Sequence, residues 1–157
     1  VAWTNSKVFR AYLADIVANT TAMDLDGTDT CKAALFGTTP TPDQNVASAA
    51  SAYNTGVWTV GNEITDATNW VAGGRPLVTP VVNSGTSGVV FFDAVDTSGA
   101  GNVTIAAAFG TLVYDDTIAA PVAKQGICYN YFGGTQSVTA GTFTIVWNAN
   151  GIWRATL

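Results

Sequence analysis

The stretch Asn102–Asp116, NVTIAAAFGTLVYDD, carries the decision about the fold. It holds two runs, NVTIAAAF and TLVYDD, separated by the single glycine Gly110. β-Branched and aromatic side chains fit a pleated, half-buried surface, so both runs read as strands. The same reading extends in both directions. Downstream, GICYNYF (Gly126–Phe132) is followed by GGTQSVTAG (Gly133–Gly141). The chain then closes on what reads as a hairpin over Thr142–Leu157: TFTIVW, the turn NANG, and IWRATL. In that hairpin Phe143, Ile145 and Trp147 share one face, as do Trp153, Ala155 and Leu157, because side chains alternate along a strand. Upstream, LVTPVV (Leu77–Val82) and VVFFDAV (Val89–Val95) flank the turn-rich NSGTSG, Asn83–Gly88. From Pro76 on the chain is nearly all β. Short strands joined by Gly and Asn turns imply a sandwich or barrel.

The N-terminal part reads differently. Val8, Phe9, Tyr12, Leu13, Ile16 and Val17 recur at helical spacing, predicting a helix from about Ser6 to Ala18. Asn5 or Ser6 would cap its start and Asn19 would end it. Lys32–Phe36 reads as a strand. In TPDQ, Thr41 stands as an N-cap, Pro42 as the first helical residue and Gln44 as the capping-box partner of a second helix. Val46, Ala47, Ala50 and Tyr53 give its apolar face, and Asn54 and Gly56 end it. VWTV (Val57–Val60) reads as a short strand, and Gly61–Pro76 as a long polar connection. The expected fold is therefore α+β and predominantly β: an antiparallel β-sandwich or barrel-like domain with two short N-terminal helices. One domain spans residues 1–157, with its helical and strand part over about residues 1–60 and its β-rich part over about residues 76–157.

Residues 23–43, MDLDGTDTCKAALFGTTPTPD, pose the question of a metal site. Asp24, Asp26 and Asp29 crowd Gly27. A helix–loop–helix calcium loop needs acidic ligands at positions 1, 3 and 5, glycine at 6 and glutamate at 12. Counted from Asp24, the fifth position is Thr28, glycine comes at the fourth, and Leu35 stands where glutamate should be. Asp and Gly between a helix and a strand are expected for turn geometry alone, so the reading is a turn, with a metal centre at Asp24, Asp26 and Asp29 as the weaker alternative.

Other chemistry is sparse. The chain has no histidine, which removes the usual general base, the serine and cysteine triads and most zinc sites. Glu63 and Asp66 lie close in NEITD, with nothing in that segment to raise either pKa. Asp115 and Asp116 are adjacent after a strand and should point to opposite sides. The glycine clusters AGGRP and FGGTQ lack the phosphate-loop patterns. Asn19 and Asn102 begin formal glycosylation sequons. Cys31 and Cys128 lie far apart, outside any CxxC pair. They read as two buried thiols, and a long-range disulfide is the other possibility. No catalytic residue, cofactor or resident metal is expected.

The residues are 48% hydrophobic and only 11% charged, with a net charge of −5. The surface must then be built from Thr, Ser, Asn, Gly and Ala, which cost less to desolvate than ions. Such a surface suits contact with other protein. The six cations are scattered, without the basic stripe a nucleic-acid binder needs. No apolar run reaches the roughly 18 residues of a membrane span, and the opening VAWTNSKVFRAYLADIV lacks the pattern of a secretory signal. Most aromatics alternate within strands and belong to the core. Trp3 and Trp70 lie in terminal or polar segments, and are the candidates for contact with another subunit.

The chain resembles a group of small tailed-bacteriophage virion proteins. The resemblance runs through AYLADI, MDLDGTDTCKAALF, TPTPD, AYNTGVW, NEI, AGGRPL, VVFFDAVD, TLVYDD and GTFTIVWNANGIWRATL, in that order over nearly the full length. It implies a non-enzymatic structural protein of the particle, most like a head decoration (cement) protein on the capsid exterior, made in the host bacterial cytoplasm. The implied partner is the major capsid protein. A homo-oligomer, taken as a trimer, would match the local threefold axes of a capsid. The resemblance transfers no site residues. A tail or fibre component and a carbohydrate-binding β-sandwich for host attachment are the alternative readings.

Overall fold

Within Asn102–Asp116 the chain folds as one long strand. In the computed structural model, which describes residues 3–86 and 88–157, β7 runs unbroken over Val103–Asp115. Gly110 does not interrupt it. The Trp3 indole lies against Gly110, where a Cβ would collide with the ring and with the Asn130 carbonyl. GICYNYF and GGTQSVTAG likewise merge into one strand, β8, over Gly126–Gly141. β7 and β8 pair antiparallel along their length, with irregularities in register.

These two strands form the middle of a five-stranded sheet in the order β1-β8-β7-β2-β3. β1 is Lys7–Val8, β2 is Cys31–Phe36 and β3 is Arg75–Pro76. A three-stranded sheet has the order β10-β5-β4, with β4 at Val78–Thr86, β5 at Val89–Val95 and β10 at Trp153–Thr156. A two-stranded sheet joins β6 (Thr97–Ser98) to β9 (Thr144–Ile145). All pairings are antiparallel. The helices are α1 (Arg10–Val17) and α2 (Ser48–Ser51). The molecule is thus mostly β, in antiparallel sheets packed together with two short helices. One core cluster draws residues from Trp3 to Ile152. Its aromatic centre is edge-to-face: Trp3 and Trp58 at 5.5 Å, Phe36 and Trp58 at 5.1 Å, Phe9 and Tyr129 at 5.5 Å.

Four local expectations are corrected. The first helix begins at Arg10 and not at Ser6, because Lys7 and Val8 are drawn into pairing with β8. Ser6 is no cap; its hydroxyl accepts the Tyr131 N–H at 2.9 Å. The second helix is a single turn, and TPDQ lies outside it. Asp43 instead accepts the Asn45 N–H at 2.8 Å, an Asx turn that competes with helix formation, and the Gln44 carbonyl accepts the Arg10 N–H. VWTV is not a strand, and Val60 opens a short 3-10 turn, Val60–Asn62.

The fourth correction is topological. TFTIVW and IWRATL do not pair with each other. β9 pairs with β6 (Thr144↔Ser98) and β10 with β5 (Trp153↔Phe92, Thr156↔Val89). The C-terminal segment therefore runs antiparallel along residues 89–98 in one pass. NANG forms a turn, with Gly151 N–H donating to Asn148 O at 2.7 Å, but it is an excursion within that pass. The Trp147 N–H goes to Asp96 and the Ile152 N–H to the Phe92 carbonyl, so both sides of the excursion are anchored to the same neighbouring segment. The alternation survives for Phe143 and Ile145, which are buried, whereas Leu157 is exposed. The β4–β5 turn falls within the expected NSGTSG, of which Ser87 lies outside the described residues.

Candidate interaction surface

The three aspartates near Gly27 serve backbone geometry. Asp24 Oδ2 accepts the Thr28 N–H at 3.0 Å. Asp29 Oδ2 accepts the Asp24 N–H at 2.7 Å. Asp26 Oδ2 reaches across to the Val82 N–H of β4 at 3.3 Å. Each carboxylate is thus turned to a different N–H. Among the described residues no group of three or more His, Cys, Asp or Glu side chains is gathered as a metal site would require.

Glu63 and Asp66 are not brought together. Glu63 is buried beside β2, where it accepts the Tyr53 hydroxyl at 2.6 Å and the Gly73 N–H at 3.0 Å. Burial pushes its carboxyl pKa up against these bonds, which corrects the expectation that nothing would raise it. Tyr53 stacks on Tyr114 at 4.7 Å, and the Tyr114 hydroxyl donates to the Gly73 carbonyl at 2.7 Å. The cluster clamps the turn that feeds β3. Asp66 instead accepts the N–H groups of Asn69, Thr104 and Thr68, which hold its carboxyl below the usual range.

Asp115 and Asp116 do point apart. Asp116 meets Lys32 at 2.6 Å and Lys124 at 3.1 Å. Burial works against its ionised form, but the two ammonium groups outweigh it and keep the carboxyl low. Asp115 is fully buried and accepts the Thr117 N–H at 2.8 Å. Burial, with Asp29 alongside, pushes its pKa up to about 6. Cys31 and Cys128 are free, buried thiols, and burial pushes both pKa values up, away from nucleophilic thiolate.

Trp3 and Trp70 are not interface rings. Trp3 is 1% exposed and Trp70 0%. Trp3 donates its indole N–H to the Gly37 carbonyl at 3.0 Å, and Trp70 packs edge-on against Phe143 at 5.5 Å. Local polarity around each hid long-range partners that bury it.

The exposed apolar residues lie elsewhere. Val78 and Val95 face each other across β4 and β5, each 55% exposed. Val81, 41% exposed, continues the patch on the same face, opposite Asp93, whereas Val82 turns to the other face, toward Tyr12 and Trp153. From Pro76 to Phe92 the chain carries no formal charge, and Asp93 and Asp96 flank Val95. The β4 edge itself is blunted. Pro80 offers no N–H, Asp26 occupies that of Val82, and the register Val78↔Val95, Val81↔Asp93 leaves one extra residue on β4. Thr79 in this bulge has φ 50. The strand thus exposes apolar side chains and resists strand addition. This patch was missed in sequence, although LVTPVV signals it: consecutive valines around a proline cannot all turn inward.

Comparison with protein-family models, with curated proteins and with solved structures gives no match. Among the described residues no helix is long and apolar enough to cross a membrane.

Proposed function

We propose that the chain is a non-enzymatic virion structural protein, a decoration protein that binds the outside of an assembled bacteriophage capsid and stabilises it. The sequence resemblance supplies the class. The structural observation that carries the reading is the exposed valine patch of Val78, Val81 and Val95 on a blunted sheet edge, with Asp93 across from Val81. A mostly apolar surface gains from burial and modest hydrogen bonds more than from steering charges. The titratable side chains hold turns, as described above for Asp24, Glu63, Asp66 and Asp115, which fits a structural role. The major capsid protein is the partner, and a trimer on local threefold axes would present three copies of the patch. A ligand of the assembled state alone stabilises that state by mass action.

The test is to mix purified protein with shells lacking it and with free capsid subunits, sediment, and count bound copies. Binding to shells alone, saturating at a lattice-related number, is the expected result. Binding to tails and not to shells would move the protein to the tail or fibre class.

A further inference from the structure

The glycine pair of FGGTQ sits beside an open groove. Between the paired positions Gly110↔Tyr131 and Ala108↔Gln136, β7 has one residue, Phe109, and β8 has four, Phe132 to Thr135. The surplus forms a bulge on β8. Gly133 and Gly134 make it possible, with φ of 79° and 157° and open space on the side where a Cβ would stand. Bulges of this kind re-aim side chains at sites. Here the bulge brings Phe132 to the wall of an open groove of about 620 Å³ between β8 and the segment leading into β9.

The groove has a consistent chemistry. Its floor is Phe143 and Ile145, and Tyr131 and Phe132 line one wall. Phe132 stands 6.4 Å from Phe143, and both wall rings are only half-buried. Gln136 and Thr142 line it, are exposed, and are not hydrogen-bonded through their side chains to another described residue. No Asp, Glu, Lys or Arg lines it.

We propose that this groove binds a neutral saccharide. Aromatic faces accept the C–H face of a sugar ring, while an amide and a hydroxyl pair with ring hydroxyls in both donor and acceptor senses. An acidic or basic ligand would find no counter-ion in the lining. The volume lies within the roughly 300–1,000 Å³ of small-molecule sites, enough for a short oligosaccharide. The valine patch lies on other strands, so shell binding and saccharide binding are separate properties and are read by separate assays.

The experiment is titration of the 15N-labelled protein with maltotetraose, cellotetraose and chitotriose, and with a hyaluronan tetrasaccharide as the acidic counterpart. At about 10 mM probe, ten times the Kd of a millimolar ligand, one neutral probe should shift the amides of Phe132, Gln136 and Thr142 saturably. Gln136→Ala and Thr142→Ala change exposed side chains and leave the fold intact; each should weaken the affinity by roughly fivefold, the loss of about one hydrogen bond. Phe132→Ala, checked by its melting curve, should weaken it further. Absence of saturable shifts, shifts confined to other surfaces, preference for the acidic probe, or undiminished binding in Gln136→Ala and Thr142→Ala would each overturn the proposal.

Discussion

Gly110 and Trp3 depend on each other. The strand can pass under the indole only where there is no Cβ, and the indole N–H is held by Gly37. Gly110→Ala should therefore force the ring aside and destabilise the protein by about 2 kcal/mol, as overpacking of a core does. Trp3→Ala should cost about 3–5 kcal/mol, the usual range for a buried aromatic. Denaturant melts of both variants check this; near-wild-type midpoints would mean that the ring is not seated there. Asp115 gives a pH signature. Its folded-state pKa of about 6 lies above the ordinary carboxyl value, so the folded state binds the proton more tightly than the unfolded one. Stability from this group is present at low pH and lost as pH rises through about 4 to 6. Asp115→Asn fixes the neutral form and keeps an oxygen for the Thr117 N–H. The variant should gain on the wild type between pH 4 and pH 7, by on the order of 2 kcal/mol. A stability difference that is flat with pH contradicts this. At this scale, turn residues such as Asp24 were legible because their partners are local. Trp3 and Trp70 were not, because what buries them is distant in sequence.

Elements were legible by type and less so by partner. The β runs around Gly110 were visible from their side chains, yet their fusion into β7 depends on Trp3 and on pairing with β8. The first helix lost its opening turn to β1, and the second lost its capping box to the Asp43 turn, in each case to a competing backbone partner. The apparent hairpin at the end became a pass along residues 89–98 because that segment offered both of its strands a ladder. Thr79 marks strain within an element. A β-branched residue at φ 50 is an outlier, and this one is exposed, so glycine loses no packing there. Thr79→Gly should stabilise by about 0.5–1 kcal/mol, relief of strain outweighing the added freedom of the unfolded chain. That corresponds to a rise of about 1–4 °C in Tm for a chain of this size. A fall in Tm would show that the bulge is not strained as described.

For the whole molecule, composition foretold more than any motif did. A chain with 11% charged residues and no histidine leaves few groups for chemistry, and most of those described above hold turns and strand ends. The exposed patch was legible only in part: LVTPVV shows that some valines must stay outside, but which ones do depends on how the three-stranded sheet packs. Its mostly apolar character has a consequence. Binding through it should depend only weakly on salt, because burial of the valines outweighs the carboxylate of Asp93 that faces Val81. The most direct measurement is co-sedimentation of capsid shells with the wild type and with Val78→Asp and Val95→Asp, at low and high salt, with Tm recorded for each. Both valines are more than half exposed, so the variants should keep the wild-type Tm to within a few degrees. The wild type should saturate the shells at both salt concentrations, while the folded variants should bind at least tenfold more weakly. Equal binding by all three proteins, or no binding of the wild type to shells, would contradict the assignment.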